Sequence, residues 1–194
     1  GKGALDSTTT ESDNIAIGYE ALYNPNGGIK NVAIGNYTLD ALTSGEKNIA
    51  IGHNSGTGLT TGSNNIAIGY AVLDAATTES HNIGIGYAAL GGPSLSGGGN
   101  NMAIGSYTLD GLTSGDNNLA VGYDAGGMIS TGSHNTTLGF QSGRLIQAGD
   151  KNITLGWTAG DNITSGDNNV VIGAADVASA TGSDQLSISS GDGS

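Results

Sequence analysis

Any catalytic or metal chemistry in this chain would have to be built from three histidines, seventeen acids and five cations, because it contains no cysteine. A nucleophilic triad needs a serine, a histidine and an orienting acid brought together, and none of the local serine motifs is present. His81 and His134 share one position of an internal repeat, a bend that other units fill with Lys or Asn, and His53 falls at a different position. Gly84-Ile85-Gly86 begins like a dinucleotide loop but lacks the third glycine and a following helix, so it reads as a strand end. The chain is therefore read as neither an enzyme nor a cofactor carrier.

Three other side-chain groups have the spacing to bind something. Tyr19, Tyr70, Tyr87, Tyr123, Phe140 and Trp157 share one repeat position. Rings at strand spacing lie within range for offset stacking, and such a column serves either as a structural stack or as a platform for sugar rings. Tyr123, Phe140 and Trp157, in consecutive units, are the candidate glycan contacts. Glu46, Asp116, Asp150 and Asp167 gather in one bend, and Asp40, Asp74 and Asp110 in another place. Carboxylates stacked this way suit Ca²⁺, though most units carry one acid per bend, and solvated charge is the simpler reading. Thr60-Thr61 and Thr77-Thr78 belong to a threonine column that invites comparison with an ice-binding array, but adjacent threonines point to opposite sides.

What must position these residues is the repeat itself. Asn65-Ile66-Ala67-Ile68-Gly69 has near copies beginning at Asn14, Asn31, Asn48, Asn82, Asn101, Asn118, Asn135, Asn152 and Asn169, in steps of 17 with a single step of 19 after Asn82. Counting from the Asn, positions 2 and 4 are aliphatic in nearly every unit, which predicts a short strand whose two aliphatics share a face. Position 12 (Leu42, Leu59, Ala76, Leu95, Leu112, Ile129, Ile146, Ile163) predicts a second, shorter strand facing the first. Position 5 is Gly in all ten units, marking a sharp bend with positive φ or a close backbone approach. The expectation is a coil of two strands and two bends, stacked at about 4.7 Å into a rod core about 45 Å long, with the Ile columns inside.

The Asn column is read as a ladder of side-chain amides, each bonded to the copy above and below. Position 3 holds Ala16, Ala33, Ala50, Ala67, Ala103 and Ala120, with Gly84 among them. These small residues point away from the Ile columns and are read as the seam against another copy of the chain. Ala67→Lys is then expected to split or unfold the oligomer, and Asn24→Lys, in a bend, to leave it intact.

The sextet Asn64-Asn65-Ile66-Ala67-Ile68-Gly69 resembles the N-S-V-A-I-G repeat in the YadA-type heads of trimeric autotransporter adhesins. The likeness runs from about Asn14 to Val177. It differs in a longer coil and in Asn rather than Ser before the first aliphatic. The fuller pattern N-x-A-I-G-Y-x-A-L is similar to the shafts of phage tail fibres and related surface adhesins. Asp184-Gln185-Leu186-Ser187-Ile188 is similar to the segment that leads there toward an intramolecular chaperone. The resemblance implies an all-β, left-handed parallel β-solenoid, or β-roll, assembled side by side as a parallel homotrimer.

Composition limits the remaining classes. With a formal charge of −12 and five scattered cations, the chain lacks the basic surface that nucleic acids and anionic membranes require. No apolar run approaches the roughly 20 residues that span a bilayer, and the first residues carry neither an initiating Met nor a signal-peptide pattern, so a longer parent protein is expected. The organisation expected is an N-terminal cap or linker over residues 1–13, ten coils over 14–177 with a two-residue insertion near 91–100, and a degenerate last coil with a linker over 178–194. The function expected is a structural and adhesive segment of an extracellular fibre, on a virion tail or a bacterial cell surface, whose partners are its own copies and a host polysaccharide or protein receptor. The alternative is a monomeric solenoid that binds ice or calcium.

Overall fold

The computed structural model describes residues 1–6, 12–23, 26–92 and 95–189. Asn24, Pro93, Ser94 and the tail from 190 lie outside the described residues. Eleven three-residue strands form one parallel sheet in chain order: β1 (Ile15–Ile17), β2 (Val32–Ile34), β3 (Ile49–Ile51), β4 (Ile66–Ile68), β5 (Ile83–Ile85), β6 (Met102–Ile104), β7 (Leu119–Val121), β8 (Thr136–Leu138), β9 (Ile153–Leu155), β10 (Val170–Ile172) and β11 (Leu186–Ile188). Register is strict, with Ile49 opposite Ile66 and Ala50 opposite Ala67. It survives the 19-residue step, where Ile83 lies opposite Met102. The chain is thus a parallel β-solenoid of about ten coils with a period near 17, and no helix occurs among the described residues.

Among the described residues the second side of the coils forms no strand. Residues at positions 7 and 9 take left-handed φ, as at Ala71 (50°), Leu73 (52°), Tyr107 (60°) and Leu109 (51°), which breaks any extended run. Single coil-to-coil hydrogen bonds such as Thr60 N–H to Thr77 O at 2.8 Å hold that side instead.

The interior is reversed relative to the expectation. Ala33, Ala50, Ala103 and Ala120 are 0% exposed and Ala67 1%, all packed within the chain's own core, and Ala16 packs against it in part. The aliphatics at positions 2 and 4 face outward, with Ile51 36% and Leu155 44% exposed. The alanines are therefore no seam between chains. Position 3 points at the opposite wall of the same coil, where Leu22, Leu39, Leu73, Leu90 and Leu109 at position 9, and the position 12 column, fill the space.

Volumes compensate across that gap. Gly84 stands where Val72 enlarges the facing wall, and a Cβ at Gly84 would lie 2.5 Å from Val72 Cγ1. In the last coils position 9 becomes Gly126, Gly143 and Gly160, and position 3 grows to Thr137, Thr154 and Val171. A Cβ added at Gly143 would meet Thr137 Cγ2 at 2.7 Å and Thr154 Oγ1 at 2.9 Å. Interiors packed this tightly accept a large side chain at one of the two facing positions, 3 or 9, not at both.

Position 5 needs glycine twice over. Gly69 has φ +137°, a region closed to other residues, and a Cβ there would collide with the carbonyl oxygen of Gly86 in the next coil. At position 1 the buried Asn side chains link coil to coil. Asn65 N–H and Nδ2 both donate to Asn48 Oδ1, at 3.0 and 3.1 Å, and Nδ2 also donates to Glu79 O at 2.8 Å. Gln185 takes over this role in the last coil, donating to Asn169 Oδ1 through its backbone N–H and Nε2.

Stacking extends beyond the expected boundaries. Leu5 N–H donates to Ala21 O and Glu20 N–H to Lys2 O, so Gly1–Leu5 lie on Gly18–Leu22 as part of a further coil. The 19-residue step is held by Glu79, which replaces the Gly of other units. Its buried carboxylate accepts N–H bonds from Thr77 (2.6 Å), Thr78 (2.9 Å) and Gly97 (2.9 Å). Burial raises its pKa, but these backbone donors outweigh that and hold it below the usual value.

Candidate functional site on the uncharged strand face

Because position 3 turns inward, the outer face of the sheet consists of positions 2 and 4, bordered by position 6. Not one of the ten units carries a charged residue at positions 1 to 6, although the chain has seventeen acids and five cations. The result is two aliphatic columns beside an aromatic one. Nine steps of about 4.7 Å by four residues of about 3.3 Å give on the order of 600 Å², the upper end of what a monomer exposes in one apolar patch.

The aromatic border is a continuous ladder. Ring centroids follow one another at 5.2 to 5.8 Å through Tyr19, Tyr37, His53, Tyr70, Tyr87, Tyr107, Tyr123 and Phe140. Where position 6 is Asn36 or Ser106, the next residue, Tyr37 or Tyr107, supplies the ring. Sequence columns missed these two rings and His53, and a tyrosine one place late beside a polar position 6 was the available signal. His53 stacks on Tyr70 at 5.5 Å and 11° between planes. His81 and His134 sit in the bend with φ of 64° and 61°.

The candidate glycan contacts are not equivalent. Tyr123 and Phe140 stack face to face at 5.4 Å and 12°, so each covers a face of the other. The ladder ends at Phe140: among the described residues Trp157 makes no ring contact, and it is 64% exposed.

The bend acids have structural partners. Asp116 Oδ1 accepts from Gly99 N–H (2.6 Å), Asp150 Oδ1 from Ser133 N–H (2.7 Å) and Asp167 Oδ1 from Asp150 N–H (2.8 Å). On the non-strand side, Asp124 Oδ2 pairs with Arg144 Nε at 2.6 Å and accepts from Gln141 Nε2 at 3.1 Å. Burial first, and then the charge of Asp124, push the neighbouring Asp110 up to about 6, with Arg144 in partial opposition. Burial and the Asp176 carboxyl raise Asp161 likewise. Among the described residues no three His, Asp or Glu side chains converge as a metal site. The threonine column is also engaged: Thr43 Oγ1 donates to Thr60 O and Thr60 Oγ1 to Thr77 O, both at 2.9 Å, so these hydroxyls bind the next coil rather than a lattice of water.

No protein-family model, curated protein or solved structure matches the chain.

Proposed function

We propose that the chain is a structural and adhesive segment of an extracellular fibre, a phage tail fibre or a cell-surface adhesin, in which left-handed rods assemble as a side-by-side parallel homotrimer. Its partners are its own copies and a polysaccharide or protein receptor on the surface to which the fibre attaches. The observation that carries the reading is the strand face: ten units keep charge off positions 1 to 6 in a chain of net charge −12, and leave their outward Ile, Val and Leu side chains half-buried or exposed. Aliphatic columns free of charge along a whole rod are costly in water and suit a low-dielectric neighbour. The face, on the order of 600 Å², approaches the roughly 800 Å² that each partner gives to a standard interface. Self-association of identical rods also matches the repeat, since each coil then meets a coil of the same kind. The sextet resemblance to trimeric adhesin heads adds the number three and the handedness.

Light-scattering mass and circular dichroism of three proteins test this. The unaltered chain should run as a trimer. Ile51→Lys with Ile68→Lys should give a folded monomer, and Ala67→Lys a chain that loses its β signal, because that side chain has no route out of the core. An unaltered chain that is monomeric at micromolar concentration would refute the proposal.

A further inference from the structure

The ring contacts set Trp157 apart: every ring from Tyr19 to Phe140 has a ring neighbour within 5.8 Å, and among the described residues Trp157 has none. His53 and Tyr70 lie within 11° of parallel, Tyr70 and Tyr87 within 7°, and Tyr123 and Phe140 within 12°, while the other ladder contacts are edge-on. A flat ligand cannot lie on a ring face that another ring already covers. Trp157 occupies the next place in this column, yet among the described residues its indole contacts no ring and its Nε1–H has no partner, and the side chain is 64% exposed. The following unit carries only Ala174 there, whose methyl is too small to cover an indole.

We infer that Trp157 is a single-ring docking site for a neutral pyranose, stacking the C–H face of one sugar on the indole at the end of the aromatic ladder. An indole is the largest flat apolar surface a side chain offers, and its free N–H can donate to a sugar hydroxyl. Thr158, next in the chain and partly exposed, adds a hydroxyl. Net charge selects among sugars: a chain at −12 repels sialylated and uronic saccharides and leaves neutral hexoses as the favoured class. The rings from Tyr19 to Phe140 then act as the rigid support of the shelf rather than as a sugar platform. This inference rests on the surface-attachment reading given above.

Trp157 is the only tryptophan, so intrinsic emission reports on this site alone. The assembled 194-residue chain would be titrated with neutral β-linked gluco- and galacto-oligosaccharides and, in parallel, with sialylated ones. The expected result is a saturable emission change with millimolar midpoint for the neutral set only, and full quenching by acrylamide before sugar is added. Binding followed by calorimetry should vanish in Trp157→Ala, persist in Trp157→Tyr and be unchanged in Tyr123→Ala. No saturable change with any neutral oligosaccharide, binding that survives Trp157→Ala, or an indole shielded from acrylamide by assembly would each overturn the site. None of these outcomes alters the mass measurement on which the trimer reading stands, so the two fail separately.

Discussion

Asn48 aims both its backbone N–H and its side-chain amide at one atom, Asn31 Oδ1, at 2.8 and 3.1 Å. The same amide donates to Gly62 O at 2.8 Å, so one side chain ties a strand start to the neighbouring strand and to its own coil's second bend. The arrangement recurs at Asn118, whose Oδ1 accepts from Asn135 N–H and Nδ2 while its Nδ2 donates to Gly132 O. Asn118→Ala would leave the Asn135 N–H and the Gly132 carbonyl unpartnered inside the rod. At about 1–3 kcal/mol for each orphaned group, the loss should be about 2–6 kcal/mol in urea unfolding. A loss below about 1 kcal/mol would mean that water reaches the column.

The exchange of volume between positions 3 and 9 predicts strong coupling. Gly143→Leu should destabilise, because the new side chain must pass Thr137 Cγ2 and Thr154 Oγ1. Its φ of +58° is no obstacle, since Leu73 and Leu109 occupy the same position at 52° and 51°. With Thr137→Ala and Thr154→Ala added, Gly143→Leu should recover most of the loss, giving a coupling energy of about 1–3 kcal/mol of opposite sign to the single change. Additive melting shifts would show that the two walls do not touch.

Asp110 predicts a pH effect of definite sign. Its carboxyl is raised from 3.8 to about 6 in the folded chain, chiefly by burial, so between those values the folded state holds a proton that the unfolded state has released. The contribution is therefore fully present below pH 3.8 and is lost as pH rises through about 6. Asp110→Asn should raise the melting temperature at pH 7.5 and reduce the gain that the unaltered chain shows on acidification from pH 7 to 5. Equal pH slopes for the two proteins would place the effect elsewhere, for example at Asp161, which is shifted the same way.

The period, the parallel stacking and the glycine bend were legible because each rests on one residue type at a fixed place. Position 5 is Gly in ten of ten units, and the structure finds there both a positive φ and a touching backbone. Which face of the strand is inside was not legible from the same columns. Alternation says only that Ile66 and Ile68 share a side, and β-branched residues suit either side of a sheet that something covers. The smallness of Ala50 and Ala67 does mean that a surface comes close, but smallness cannot tell the far wall of one's own coil from a neighbouring chain. Two other features of the sequence carry that information. The large position 3 residues Thr137, Thr154 and Val171 each come one coil after a Gly at position 9, Gly126, Gly143 and Gly160, which only residues in contact require, and charge is missing from positions 2, 4 and 6 together. The second strand was over-read for a different reason: an apolar column at position 12 fixes burial, while the left-handed φ at positions 7 and 9 belongs to Ala71, Leu73 and Tyr107, residue types that give no warning of it.

The clamp that Glu79 places on Gly97 separates two jobs that most repeats combine. Pairing continues from Ile83 to Met102 as though the two surplus residues were absent, while the Glu79 carboxylate fastens Gly97 to the preceding coil and leaves the strands on either side in step. Length can therefore vary near Gly97 without any change of pitch, which makes this interruption of the repeat a natural splice point for foreign peptide in an otherwise metrically rigid rod.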